Sequence, residues 1–281
     1  MPCLNLKQPP RNGARGVTLI EMVIVIAITA IIASAVSVFI SRPVEGYADA
    51  ARRAEMTDIA DTALRRMTRD LRTALSNSIR TTTVSGVVYL EYLQGSGGGR
   101  YRAQVDSSGG GNILDFTAAD ASFDVIGTMP TFAGGESIVI YNLASSGTSA
   151  NAYVGDNRAA VNVGGTTATT IALTAAKQFP FPSPGKRFQV VQYAVTYACN
   201  PATGELRRYW NYGIVDPQPT PPATPNNALL ASNVAAVGGC SFTYATSGTA
   251  QREGVVSLTL KIQESNEWIQ LFQQVHVTNV P

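Results

Sequence analysis

The 281-residue chain contains one histidine and three cysteines, and charged side chains make up only 14% of it. A histidine-based triad or general base would have to use His276, which lies in the run Gln274-Val275-His276-Val277-Thr278 and reads as a strand-surface residue. Of the cysteines at 3, 199 and 240, the last two have no histidine near them, which is too few ligands for a cysteine-based zinc site. EF-hand, P-loop and dinucleotide patterns are also missing: DSSGGGN (106–112) and GDN (155–157) read as turns. The spacing of Asp115, Asp120 and Asp124 does not define a calcium site. No catalytic pair, metal or cofactor is expected, so the chain reads as a non-enzyme.

What the sequence does have is a long apolar run. Residues 16–40 read G-VTLIE-MVIVIAITAIIASAVSVFI, with one carboxylate, Glu21, at its mouth. A lone acid at the centre of a membrane-spanning helix costs about 2.5–3.5 kcal/mol on insertion scales, so an acid here marks a function and needs a counterion. Proteolysis after Gly16 would create one, an α-amine on Val17 at i,i+4 spacing from Glu21. Residues 17–40 form a helix about 36 Å long, enough to cross a hydrocarbon core of about 30 Å. An ordinary secretory signal is the competing reading, with Lys7, Arg11 and Arg15 as its basic region and Ala33-Ser34-Ala35 as its cleavage site. It would start the mature chain at Val36 rather than Val17.

This pattern resembles the type IV prepilin signature: a basic leader ending in Gly, a segment close to FTLIE, then about twenty apolar residues. Val17 departs from it, since Phe is usual there. The resemblance implies cleavage after Gly16 by a prepilin peptidase, N-methylation of Val17 and use of Glu21 in subunit assembly. RRAEMTDIADTALRRMTRDLRTALSNSIR (52–80), VTYACNPATGELRRYW (195–210) and QVHVTNVP (274–281) look like the MshO family of minor pilins from MSHA-type pili, and more remotely like the J pseudopilin of type II secretion. The resemblance implies other major and minor pilins and an inner-membrane assembly platform as partners. It also implies a single-pass inner-membrane protein with a periplasmic head that later joins a filament at the cell surface. A secretion or DNA-uptake pseudopilin is the alternative, and a secreted adhesin or enzyme with a conventional signal is a more distant one.

The leader also accounts for the apparent basicity. The net charge is +2, but residues 1–16 hold three basic residues and no acid; without them 18 Lys and Arg face 19 Asp and Glu, so nucleic acid is not an expected partner. Loss of Cys3 with the leader leaves Cys199 and Cys240 as an even pair in an exported domain, which reads as a disulfide, with two buried free thiols as the alternative.

The expected fold class is α+β, type IV pilin-like: a long N-terminal helix, transmembrane and then amphipathic, packed on an antiparallel β-sheet head. The expected boundaries are a leader (1–16), a membrane or filament-core helix (17–40), an amphipathic helix (41–80) and a β-rich head (81–281). Arg42-Pro43 and Gly46 mark a weak point, after which residues 47–79 lack both breakers. Ala60, Leu64, Met67, Leu71 and Ala74 recur at 4,3,4,3 spacing as the apolar stripe. The basic residues of this helix, interleaved with Asp58, Asp61 and Asp70, read as a solvated face.

From Val84 onward, short β-prone runs alternate with turn residues. GSGGGR (95–100) and SSGTSAN (145–151) read as flexible turns, and DPQPTPPATPN (216–226) as a loop excluded from any central strand. In 187–197, the face carrying Val191, Tyr193, Val195 and Tyr197 is the more apolar one. A bulge or exposed edge is expected near Gln273-Gln274. Strand alternation sends Tyr209 and Asn211 one way and Trp210 and Tyr212 the other, one set in the core and one at a subunit contact. Trp268 is expected to be packed.

Overall fold

The computed structural model describes residues 16–223, 225–246 and 253–280. The leader residues Cys3, Lys7, Arg11 and Arg15 lie outside them. Among the described residues one α-helix, α1 (Leu19–Leu71), is followed by twelve strands, with a short 3-10 turn (Val163–Gly165) between the fifth and sixth: β1 (Arg80–Val84), β2 (Val87–Tyr101), β3 (Asp120–Ile126), β4 (Ser137–Val139), β5 (Arg158–Ala160), β6 (Thr170–Lys177), β7 (Arg187–Asn200), β8 (Glu205–Tyr212), β9 (Asn226–Ala231), β10 (Cys240–Thr246), β11 (Glu253–Glu264) and β12 (Glu267–Thr278). The fold is α+β with antiparallel sheets, as expected. By contacts the chain divides into one unit ending at Arg52 and a second running from Arg53 to the C-terminus.

In the first unit, α1 stays helical through Pro43 and Gly46. Proline lacks the N–H that would bond four residues back, so the expected weak point is a locally unsupported turn inside an unbroken helix. In the second unit the predicted stripe is the buried one: Ala60, Leu64, Met67 and Leu71 are at most 2% exposed, and Met56 joins them.

Helix α1 stops at Leu71, short of residue 80. The reason is a competing backbone partner. The Thr73 hydroxyl donates to Asp70 O (2.6 Å), while Gly95 N donates to Thr73 O and Leu75 N to Leu93 O (both 2.9 Å). Ser78 adds its hydroxyl as acceptor for Leu93 N (3.2 Å), so β2 takes over the chain that composition alone assigns to helix.

Nine strands form one sheet ordered β5-β4-β7-β2-β3-β6, with β1 also on β2, β8 on β7 and β9 on β8; β10-β11-β12 form a second. The larger core joins the α1 stripe, Leu90, Tyr92, Val195 and Tyr197 of the first sheet, and Val256, Leu258, Leu260 and Ile262 of the second. Another cluster gathers Phe123, Ile138, Ile171, Phe179 and Phe188. Because β7 is central, its residues 194–199 are buried whichever way they point, and neither of its faces is a solvent face there.

The segment GSGGGR is not a flexible turn but part of β2, paired with β7 from Gly95↔Val191 to Arg100↔Arg187. A Cβ on Gly98 would stand 2.6 Å from Phe188 O, and one on Gly99 would stand 2.8 Å from the Phe188 ring, so these glycines allow two strands and a buried aromatic to approach closely.

Candidate functional site

Thr18 lies immediately before the first helical residue. Its Oγ1 accepts from Glu21 N (3.3 Å) and its carbonyl from Met22 N (3.1 Å), the two bonds of an N-cap. Thr18-Leu19-Ile20-Glu21 is a T-x-x-E capping pattern, a second signal carried by the same acid that opens the apolar run. Gly16 and Val17 therefore stand outside the helix; Val17 is 66% exposed and a Cβ on Gly16 would meet nothing within 4 Å. Glu21 occupies the third helical position, where a carboxylate faces the positive end of the helix dipole, and it has no ion-pair partner among the described residues.

Beyond this junction, Leu19–Ser37 has a mean hydropathy of 2.6, and none of it is buried. Two of its hydroxyl residues are satisfied within the helix: Thr29 donates to Val25 O (2.7 Å) and Ser34 to Ile31 O (2.8 Å). An apolar solvent demands this of every polar group. Helix continues without interruption through Ala33-Ser34-Ala35.

In the β-rich region, Cys199 of β7 and Cys240 of β10 form a disulfide, which ties the large sheet to the small one. The loop it closes contains β8 and β9 as well as the proline-rich segment, so it is more structured than a simple protrusion.

Asp70 is a correction to the solvated-face reading. It is 7% exposed, and its carboxylate accepts from Arg208 Nε (2.9 Å), Tyr197 OH (2.8 Å) and Arg66 Nε (3.2 Å). Burial alone pulls the Arg208 guanidinium down, but Tyr92, Tyr197 and Asp70 outweigh it and hold the group above its usual range. A second buried network centres on Glu91, which meets Arg80 Nε (2.9 Å) and Tyr212 OH (3.1 Å), while Arg80 Nη1 reaches Asp216 (2.9 Å). Burial pushes the Glu91 carboxyl up, partly offset by Arg80.

The aromatic run 209–212 does not alternate cleanly. A register shift separates Ala194↔Tyr212 from Val195↔Trp210, and Asn211 sits at φ +60°, so Tyr209 and Tyr212 pack in one cluster while Trp210 packs in another. Trp268, expected in the core, is 57% exposed and lies under the Lys261 ammonium. β12 is an edge strand without a bulge, pairing in continuous register from Glu253↔Thr278 to Glu264↔Glu267, and His276 lies on its exposed side. Asp115, Asp120 and Asp124 accept from backbone N–H groups of nearby turns, and no metal-ligand cluster occurs among the described residues.

A capped Gly-Val-Thr junction, an exposed apolar helix and an antiparallel β region together define an α+β protein of pilin-like architecture. Residues 11–37 match the family model for the prokaryotic N-terminal methylation motif, the signal of type IV pilin-type prepilin peptidase substrates. The match covers the junction and the span, and none of the β-rich region. No curated protein and no solved structure matches the chain.

Proposed function

We propose that this chain is a minor pilin of an MSHA-type pilus, cleaved after Gly16 by prepilin peptidase, methylated on Val17 and assembled through Glu21 with other major and minor pilins at an inner-membrane platform. The observation that carries this reading is the junction itself. Gly16 and Val17 are accessible and non-helical, directly before a capped helix whose apolar residues are exposed among the described residues. Before assembly lipid covers that surface, with the β-rich region in the periplasm; in a filament, helices of neighbouring subunits do.

Cleavage turns the Val17 amide into an ammonium at the positive end of the α1 dipole, which costs about 0.3–1 kcal/mol by itself. Glu21 is the nearby acid that offsets it, either within one chain or from a neighbour. Surrounded by packed apolar helices, a charge stripped of its partner costs about 3–5 kcal/mol, so pairing the amine of one subunit with Glu21 of the next fixes their axial register.

Co-expression with a prepilin peptidase, followed by mass spectrometry of the mature N-terminus, tests the reading. A methylated Val17 start is expected, and Gly16→Leu should leave the leader attached. A mature chain beginning at Val36 overturns it. Glu21→Leu should leave membrane insertion and the disulfide intact but abolish copurification with partner pilins, an assay in which undiminished recovery would remove the role given to Glu21.

A further inference from the structure

On β7, strand β4 pairs with residues 189–191 and β8 with residues 194–200, both on the same edge. Gln192 and Tyr193 fall between them, which leaves a notch in the sheet edge. This notch opens into a cleft of about 460 Å³ lined by Ser137, Arg158, Gln192, Tyr193 and Asn211 among others. Its volume lies within the range of small-ligand sites.

Arg158 gives the cleft its charge. Its Nη2 donates to Ile214 O (3.3 Å), but its Nε is buried without any acceptor, and no carboxylate lies within ion-pair distance among the described residues. Burial pulls the guanidinium below its usual range, with no acid opposing that shift. The neighbouring acids are committed elsewhere: Glu136 accepts from Ala133 N and Gly134 N, and Asp156 from Ala150 N and Asn151 N. Two further arginines with little exposed side chain, Arg80 and Arg208, each have an acid. A guanidinium held this way selects a planar oxyanion, which it can engage through two parallel N–H donors. The rest of the wall is neutral, offering two side-chain amides, a serine hydroxyl and the ring and hydroxyl of Tyr193. That is the complement of a small ligand rich in hydroxyls.

We propose that the cleft binds an acidic sugar, its carboxylate on Arg158 and its hydroxyls on Gln192, Asn211 and Ser137. The reading is independent of the N-terminal junction, because every residue in it belongs to the β-rich region.

The test uses the full chain in detergent micelles at low salt, with saturation-transfer NMR against D-glucuronate, D-glucose and inorganic phosphate. Glucuronate should bind saturably, at least tenfold tighter than glucose or phosphate, and weaken as salt is added. Arg158→Gln should lose at least tenfold, and Arg158→Lys should retain part of the affinity. If Arg158→Gln fails to fold, as judged by thermal unfolding, Asn211→Gly keeps the positive φ, removes one amide and should weaken binding severalfold. An oligoglucuronide binding tighter than the monomer assigns the site to a polysaccharide chain, and equal binding to a single terminal or free residue. Equal glucuronate signals from wild type and Arg158→Gln, or from wild type and Asn211→Gly where that variant is used, overturn the proposal, as does preference for phosphate or glucose.

Discussion

Asp70 shows how a residue's neighbours in sequence can mislead. It sits among Arg65, Arg66, Arg69 and Arg72, a context that reads as solvated charge, yet its strongest partners are Arg208 and Tyr197, more than a hundred positions away. Nothing local in the sequence announces that pairing. Asp70→Ala strands Arg208 in the core and should cost about 3–5 kcal/mol in chemical unfolding. Replacing Asp70 and Arg208 together with apolar residues should cost less than the single change. Three acids bonded to neighbouring turns, Asp106, Asp115 and Asp124 of β3, behave in the opposite way. The carboxyls of Asp106 and Asp115 are held below the usual carboxylate range by Ser108 and Thr117, and that of Asp124 chiefly by Asn112 N–H. A carboxyl with a depressed folded pKa stabilises above its unfolded value, near 3.9, and that contribution is lost as pH falls through the folded one. Amide exchange at Ser108, Gly110 and Thr117 should therefore accelerate on acidification below about pH 4, beyond the change intrinsic exchange accounts for. Unchanged protection there would contradict the turn geometry.

At the level of elements, strands rich in β-branched and aromatic residues were legible as strands: β7, β11 and β12 form where such runs occur, although the two faces of β7 and the exposure of Trp268 on β12 were not readable from alternation. Others were not. β1 is Arg-Thr-Thr-Thr-Val at the end of a helical composition, and the second half of β2 is mostly glycine, so both are strands because of what they pair with. The same distinction ranks substitutions. Gly98→Val drives a side chain into the Phe188 carbonyl and should cost about 1–3 kcal/mol or more. Leu258→Ala, fully buried, should cost about 2–5 kcal/mol. Phe272→Ser, on the exposed side of β12, should stay within about 0.5 kcal/mol. Thermal unfolding of the three variants side by side would expose a wrong order.

Across the whole molecule, the N-terminal junction was readable because it is written contiguously, whereas the β-rich region depends on long-range closure. The disulfide spans a sequence separation of 41, so replacing Cys199 and Cys240 by serine should lower stability by about 4 kcal/mol on the chain-entropy model. Reduction of the wild type should reproduce most of that loss, and a much smaller effect would mean the two sheets hold together without the tie. The glycine tract of β2 carries a consequence of another kind. Any missense change at a glycine codon introduces a Cβ, so positions 98 and 99 have no mild missense neighbour. Within a stretch that looks like low-complexity filler, then, those two sites should resist genetic drift, while the glycines of an exposed loop tip such as Gly109, with nothing within 4 Å of a Cβ, are constrained by backbone angle alone.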